Sequence, residues 1–321
     1  MRSFLKAFFL CLKIALLCAS IKPSFSAIKA KTHPWFRLPG EAYNMKMGPK
    51  GRHIAFTNGK GQGLKFLVIK SKKIYQITAN KTGGSYFFSP DGYRVFFREL
   101  LKEKGKIKSV LKVYNIKAHK STKIDKVDGL SGFLTFDPRD LRFQLMHGKG
   151  ILSKMIVFPD KRLAKWQLAQ RTEQGKWLAT TKGILWLTHS GFTMRMLKDD
   201  KSGVQSFSIS PDGSSIVWAT KDAGIYHSEL GKKAKKIGEG YDPSFHPRKP
   251  IVAYAGVRKI GTKVIGSDIR VVDLADPAGS GRWVTSSLSK SERWPQFMAK
   301  GEAMIYTLFK TTDIFYLELK P

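Results

Sequence analysis

Eight basic side chains in three stretches of the chain are the residues best suited to do chemistry, and that chemistry is the binding of anions. Ammonium and guanidinium groups attract carboxylates and phosphates, and salt screens the attraction. Their spacing predicts basic loops, the longer two around residues 101 to 109 and 256 to 266. The candidate binding residues are Lys60, Lys102, Lys104, Lys106, Lys108, Arg258, Lys259 and Lys263.

The charge of the whole chain agrees with this chemistry. The 321 residues include 57 Lys and Arg against 24 Asp and Glu, a net charge of +33. Because 42% of the residues are hydrophobic, disorder is excluded as a description of the whole chain. Lys outnumbers Arg by 42 to 15. Since Lys is a hydrated point charge and Arg forms the planar fork of specific phosphate sites, we expect a diffuse attraction.

Residues for catalysis or metal binding are sparse. The two cysteines, Cys11 and Cys18, lie in the first 20 residues, and the seven histidines form no i, i+4 pair and no His-x-His. No Gly-x-Ser-x-Gly elbow is present, which excludes a serine hydrolase domain. Asp199 and Asp200 are interpreted as a solvated loop end rather than as calcium ligands. We therefore predict no catalytic residue, no metal site and no cofactor.

The first 26 residues have the pattern of a secretory signal peptide. Arg2 and Lys6 precede an apolar stretch, and Ser24 to Ala27 form a small-x-small cleavage pattern. A lipoprotein is disfavoured because Leu17, not a small residue, precedes Cys18. Cleavage after residue 26 lowers the net charge by four, from +33 to +29. We expect a periplasmic or secreted protein, so its partner is an acidic envelope protein or an anionic envelope polymer rather than nucleic acid.

Two segments reveal an internal repeat. Residues 88 to 97 read Phe-Ser-Pro-Asp-Gly-Tyr-Arg-Val-Phe-Phe, and residues 209 to 218 read Ile-Ser-Pro-Asp-Gly-Ser-Ser-Ile-Val-Trp. In both, an apolar residue stands four before the Gly, and apolar residues stand three and five after it. The pattern predicts a strand, a tight turn and a second strand that alternates with period two.

Weaker copies extend the repeat over the mature chain. Turn positions fall at residues 51, 92, 140, 175, 213, 249 and 301, separated by 35 to 52 residues, and we number the units 1 to 7 in that order. The unit at Gly175 is the weakest, since Arg171 occupies the leading apolar position. In unit 6, His246 is interpreted as a turn residue in place of Ser rather than as a metal ligand. A further apolar run follows each turn, at Phe66–Ile69, Val110–Ile116, Met155–Phe158, Ile184–Leu187, Ile225–Leu230, Ile269–Leu274 and Ile314–Leu317.

These repeats resemble those of TolB-type, WD40-like β-propellers. The resemblance covers roughly residues 40 to 319 and rests on the two Ser-Pro-Asp-Gly segments and on the run Ser-Asp-Ile-Arg-Val-Val-Asp-Leu at 267 to 274. It implies an all-β protein with four strands per unit. We expect one domain, residues 27–321, with seven four-stranded blades, six or eight being the alternatives. Because the chain ends in the third strand of unit 7, the segment at Trp35 to Leu38 is predicted to close the ring.

A propeller of this kind could be a binding protein, an enzyme or a purely structural member of a multi-protein envelope complex. We predict a non-catalytic binding or scaffold protein of the bacterial cell envelope, a monomer whose basic loops contact the acidic partner. Propellers can also gather single residues from several blades at the central channel. The alternative is therefore an enzyme of the lyase or hydrolase type with its site at the channel mouth.

Overall fold

The protein is built almost wholly of β-strands in the part that the structure describes. The computed structural model describes residues 30–82, 86–126, 130–137, 142–147, 150–155, 167–168, 176–179, 184–187, 194–196, 203–230, 232–276, 281–287 and 290–319. It describes the side chains of these residues as well, except for residues 30, 60 and 125–196. The predicted signal peptide (1–26) and Asp199–Asp200 lie outside the described residues. Within the described part, no helix is long and apolar enough to cross a membrane.

The described strands follow the repeat units in chain order. Before unit 1 lies β1 (Ala30–Arg37), and a short 3-10 turn, Gly59–Gly61, lies inside unit 1. The remaining strands are β2 (Tyr43–Met47), β3 (His53–Thr57), β4 (Lys65–Val68), β5 (Lys73–Gln76), β6 (Tyr86–Phe88), β7 (Arg94–Glu103), β8 (Lys106–Asn115), β9 (Lys120–Lys126), β10 (Leu130–Asp137), β11 (Arg142–His147), β12 (Gly150–Met155), β13 (Gln167–Leu168), β14 (Lys176–Ala179), β15 (Ile184–Leu187), β16 (Met194–Met196), β17 (Val204–Ile209), β18 (Ser215–Thr220), β19 (Gly224–Glu229), β20 (Lys235–Phe245), β21 (Ile251–Ile260), β22 (Lys263–Asp273), β23 (Arg282–Trp283), β24 (Glu292–Phe297), β25 (Ala303–Leu308) and β26 (Asp313–Leu319).

Units 1 to 6 are antiparallel meanders whose neighbouring strands are consecutive in the chain. Units 1, 2 and 3 are the sheets β2–β5, β6–β9 and β10–β13, and unit 4 is β14–β16. Units 5 and 6 share the long strand β20, which pairs with β19 through Lys235 to Glu239 and with β21 through Gly240 to Phe245. In unit 3 the third strand is Gly150–Met155. The prediction of this strand at Met155–Phe158 was therefore wrong by several residues toward the carboxyl end.

The first and last described strands belong to the same sheet. β1 pairs antiparallel with β26, from Ala30 opposite Leu319 to Arg37 opposite Asp313. The sheet order is β1, β26, β25, β24, so an amino-terminal strand supplies the outer strand of unit 7. The segment predicted at Trp35 to Leu38 overlaps β1, which starts five residues earlier than expected and ends at Arg37. Arg37 adds an ion pair, with its Nε 2.8 Å from Oδ1 of Asp313.

The Ser-Pro-Asp-Gly turns are held by their own side chains. In unit 2 the Ser89 hydroxyl accepts the Arg94 N–H at 3.0 Å, and Oδ1 of Asp91 accepts the Tyr93 N–H at 2.9 Å. Gly92 N–H donates to the Ser89 carbonyl at 2.8 Å, and Gly92 has a φ of +72°. Gly tolerates that left-handed conformation at little cost, and Asp and Ser satisfy the backbone donors that the turn leaves free.

His246 performs the same task in unit 6. Its Nδ1 accepts the N–H groups of Arg248 and Lys249, both at 3.0 Å. Burial lowers the pKa of His246, which favours the neutral ring whose Nδ1 can accept. Its ring also packs on Phe297 of unit 7, with centroids 4.9 Å apart. The interpretation of His246 as a turn residue is confirmed.

The core lies in layers between neighbouring sheets. Phe66 of unit 1 packs with Tyr86 and Phe97 of unit 2, and equivalent clusters join units 5 and 6, 6 and 7, and 7 and 1. The second strands are accordingly buried on both faces, as in β3, β18, β21 and β25. This differs from a half-buried strand with period two, because the sheets of units 1, 6 and 7 each pack against a neighbour on both faces.

A buried carboxyl group joins units 6 and 7. Glu292 is 2% exposed; its Oε2 accepts the Ile269 N–H at 3.1 Å and the Thr285 hydroxyl. Burial raises the pKa of Glu292 to about 7, and the carboxylate of Asp268 adds to the shift. The folded protein therefore retains a proton there that the unfolded chain releases between about pH 4.5 and 7.

We predict that this carboxyl group makes stability fall as the pH rises from about 4.5 to 7. Glu292→Gln cannot titrate, so the free energy of unfolding of the wild type should fall relative to Glu292→Gln, by up to about 1.4 kcal/mol per pH unit. Urea unfolding of both proteins at pH 5, 6, 7 and 8 measures the difference. A difference that is constant with pH contradicts the prediction.

A second prediction concerns the turn glycine of unit 7. Gly301 has a φ of +82°, and a Cβ there would lie 2.0 Å from Nε2 of His246. Gly105 has a φ of +77° with open space around it, so it is a matched control. Gly105→Ala should cost about 1 kcal/mol of unfolding free energy from backbone strain. Gly301→Ala should cost at least about 2 kcal/mol more, and equal costs in urea unfolding would refute the contact.

Candidate functional site

The two predicted basic loops are extended β-hairpins. β7 and β8 pair to their ends, where Glu103 lies opposite Lys106, and only Lys104 and Gly105 form the turn. β21 and β22 likewise pair up to Ile260 opposite Lys263. The interpretation of these stretches as long loops was therefore wrong. The reason is turn chemistry: Lys104, Gly105 and Gly261 have φ values of 47°, 77° and 59°, the conformations of two-residue hairpin turns.

The candidate basic residues divide into exposed cations and ion-paired ones. Three of them form ion pairs. Nζ of Lys108 lies 2.5 Å from Oε2 of Glu103, and Nε of Arg258 lies 2.8 Å from Oδ2 of Asp268. Nζ of Lys259 lies 2.5 Å from Oε2 of Glu239. The side chain of Arg258 is also only 18% exposed, so its ion pair with Asp268 is mostly shielded from solvent. The side chain of Lys60 lies outside the described residues. Of the eight candidates, Lys102, Lys104, Lys106 and Lys263 are exposed and have no ion pair in the described part of the chain.

The hairpins also expose apolar side chains. Ile107 is 73% exposed and Ile260 is 71% exposed, and Val264 and Ile265 are exposed beside Ile260. Lys102 lies directly opposite Ile107, so the two side chains share a face of the first hairpin. Each hairpin thus presents an isoleucine among lysines, a combination that the sequence reasoning about charge did not identify.

A second candidate site is a cavity that the sequence reasoning missed. It has a volume of about 540 Å³ and is lined by residues of the first strand of five units, β2, β6, β17, β20 and β24. This volume is within the range of small-molecule sites. The lining includes Lys46, Ser206, Asp242 and Trp294. No histidine belongs to this lining as described, and the described residues contain no cluster of three metal-ligating side chains.

Side-chain contacts place these first strands in order. Phe245 N–H donates to Oγ of Ser208 at 3.4 Å, which joins units 5 and 6. Met47 N–H donates to Oε1 of Gln296 at 3.2 Å, which joins units 7 and 1. Between units 6 and 7, Nε of Arg293 lies 2.5 Å from Oδ2 of Asp242. The described first strands therefore follow one another in the order 5, 6, 7, 1 around the cavity.

Lys46 is the basic side chain of the described lining that has no carboxylate partner. Its Nζ donates to the carbonyl of Tyr86 at 2.9 Å and lies 4.3 Å from the ring centroid of Phe87. Burial lowers the pKa of Lys46 to about 8. The ammonium group is thus held between unit 1 and unit 2, with one carbonyl and the rings of Tyr86 and Phe87 as its partners.

Asp242 of the lining forms a buried ion pair with Arg293, which is not itself among the lining residues. Asp242 is 7% exposed, and the guanidinium of Arg293 also lies over the rings of Tyr241 and Trp294, at 4.6 and 5.0 Å from their centroids. Tyr43 packs against Trp294 with ring centroids 5.0 Å apart. Asp242 is therefore engaged by Arg293 and is not available as a general base.

A register position links these residues. Asn44, Ser206, Asp242 and Trp294 each stand seven positions before the turn position of their unit, and the strand pairing shifts there by a bulge in all four units. Three of them, Asn44, Asp242 and Trp294, have φ values between 51° and 54°. Comparing the residues seven and five positions before each turn would have found this lining in the sequence.

Comparison with known proteins identifies the fold. No family model and no curated protein matches the chain. The structure of RRP9 WD40 repeats matches with a TM-score of 0.62 at 9% identity, covering 92% of this chain and 98% of that one. An oligogalacturonate lyase in complex with manganese matches with a TM-score of 0.52 at 12% identity, covering 92% and 98%. TolB from Acinetobacter baumannii matches with a TM-score of 0.44 at 12% identity, covering 88% of this chain and 55% of that one. The predicted WD40-like β-propeller fold is confirmed.

We predict that the buried ammonium of Lys46 carries a stability cost at neutral pH. Because the folded state releases its proton near pH 8 and the unfolded state near 10.5, the unfolding free energy of the wild type should rise between these values relative to Lys46→Met. The expected slope is up to about 1.4 kcal/mol per pH unit. Urea unfolding at pH 7 to 10 measures it, with Lys102→Met to correct for net charge. A difference in unfolding free energy between the two proteins that does not change with pH contradicts the prediction.

Proposed function

We propose that the protein is an exported, non-catalytic β-propeller that binds an acidic partner in the bacterial cell envelope through its two basic hairpins. The observation that carries this proposal is the surface of the hairpins, where Lys102, Lys104, Lys106 and Lys263 stand without ion pairs in the described structure. In a propeller, connections between second and third strands lie on one face of the disc. Both hairpins are such connections, so they project from the same face.

The proposed architecture has seven blades in a closed ring. The repeat units supply the seven sheets, and the pairing of β1 with β26 supplies the closure. The order of first strands around the cavity supports this arrangement for units 5, 6, 7 and 1. A closed ring leaves no blade face without a neighbour, which suits sheets that are buried on both faces.

The exposed isoleucines favour a protein as the acidic partner. Ile107 and Ile260 offer apolar contact area beside the lysines, whereas a polyanion such as an envelope polymer offers only charge. Interfaces of proteins combine an apolar centre with a charged rim, and complementary charge raises the rate of association. The binding should therefore weaken with salt and should also depend on the isoleucines.

The alternative function is an enzyme with its site at the channel. It needs acidic and basic groups that converge on one point of the cavity. In the described lining, Asp242 is bound to Arg293, and Lys46 has no acidic neighbour within ion-pair distance. The lyase among the structural neighbours shares the fold at 12% identity and supports no transfer of residues. We therefore develop the binding function.

Charge reversal of the first hairpin tests the proposal. Lys102→Glu, Lys104→Glu and Lys106→Glu together should reduce retention on a solubilised envelope fraction at low salt by at least about tenfold. The matched control reverses Lys70, Lys72 and Lys73, three exposed lysines around the turn between β4 and β5 on the opposite face. The control should retain binding, and an equal loss in both variants would refute hairpin docking.

The double variant Ile107→Ser, Ile260→Ser distinguishes a protein partner from an anionic polymer. If the partner is a protein, the double variant should lose binding although its charge is unchanged. If it keeps full retention on the envelope fraction and on dextran sulfate beads, the partner is an anionic polymer. Mass spectrometry of the material that elutes at raised salt identifies the partner in either case.

A further inference from the structure

The cavity between the first strands has the properties of a built binding site. Its volume of about 540 Å³ suits a small organic molecule, and its wall combines aromatic and apolar side chains with a few polar groups. The hairpins are not part of its described lining, so its function is independent of the docking surface proposed above.

Lys46 gives the site a positive charge. An ammonium group has three N–H donors, and one of them is satisfied by the carbonyl of Tyr86. The others have no acceptor among the described residues, although the side chain lines a cavity. Desolvation disfavours a charged amine unless a counter-ion compensates it, so an anion in the cavity would relieve that cost.

Two buried polar atoms of the same wall also have no partner. Nε1 of Trp294 and Oγ of Ser206 form no hydrogen bond in the described structure, and Trp294 is only 5% exposed. An unsatisfied buried donor costs about 1 to 3 kcal/mol, and most such groups in folded proteins are paired. Because neither atom has appreciable accessible surface in this structure, a ligand oxygen that accepts a hydrogen bond from the indole N–H requires a shift of the side chains around it.

The lining selects the chemical class of the ligand. The guanidinium of Arg293 is held by Asp242, which leaves Lys46 as the available cation of the described wall. A single ammonium matches a monocarboxylate better than a phosphate dianion, which is typically bound by bidentate Arg. Ser206, Ser208 and Ser244 line the same cavity, and their hydroxyls can donate as well as accept. They therefore match ligand hydroxyl groups.

We infer that the cavity binds a small hydroxylated carboxylate of the sugar-acid class, with its carboxylate on Lys46 and an oxygen accepting the Trp294 indole N–H. The apolar faces of Phe87 and Trp294 line the same space and are suited to contact the carbon skeleton of such a ligand. The polar groups would then fix its orientation, as in other ligand sites.

Isothermal titration calorimetry at pH 7 tests this with three probes, D-glucuronate, D-galacturonate and D-gluconate, and with uncharged D-glucose as the matched control ligand. At least one acid should bind at least about tenfold more tightly than glucose. Lys46→Met should weaken the bound acid by about tenfold or more. Trp294→Phe, which keeps a ring and removes the N–H, should weaken it several-fold. Lys106→Met on the hairpin should leave it unchanged.

Folding controls and pH keep the test decisive. Circular dichroism and thermal unfolding verify that the variants fold. If Lys46→Met does not fold, the wild type alone tests the inference. Its affinity for the acid should decrease above about pH 8, where Lys46 loses its charge, and its affinity for glucose should not change. Absence of binding by all three acids up to about 10 mM, or equal affinity of acid and glucose, overturns the inference. Neither result bears on hairpin docking, which Lys102, Lys104 and Lys106 test separately.

Discussion

Burial of a sheet on both of its faces is the constraint on which the rest of the structure depends. A four-stranded sheet whose second strand is buried along most of its length, such as the sheet of β21 or that of β25, cannot be stable with one face in water. It needs a neighbour on each side, and the sheets of units 6 and 7 both have one. The pairing of β1 with β26 adds an outer strand to the sheet of unit 7, so that sheet joins a segment from the first part of the chain to one from the last part.

The same constraint brings the first strands of the units together. Once the sheets pack face to face, their first strands converge, and residues that are far apart in sequence line one cavity. Lys46 and Gln296 illustrate this, since they come from opposite ends of the chain and lie on strands joined by the Met47 to Gln296 hydrogen bond. The binding site is thus a product of the packing of the sheets, and no single unit contains it.

The sequence predicted the parts of the structure that depend on local chemistry. The turns could be predicted from Asp91, Gly92 and His246, because these residues form their hydrogen bonds with close neighbours in the sequence. The hairpin at Lys104 and Gly105 was misjudged as a loop because a run of lysines suggests solvent, although Gly105 was the available signal. The cavity was missed for a different reason: spacing from the turns places Lys46 and Asp242 on first strands, but the partners that define their functions come from other units.

The conformation of Trp294 connects the fold to the proposed ligand site. A bulky residue with a φ of 51° is strained, by about 1 to 2 kcal/mol, and a glycine there would relieve that strain. The strain is sustained by packing against Tyr43 and by the Arg293 guanidinium over the ring. These contacts explain where the ring lies, but they leave its Nε1 without an acceptor. Packing explains a large ring at this position but not its buried N–H, which is the feature that the proposed ligand would satisfy.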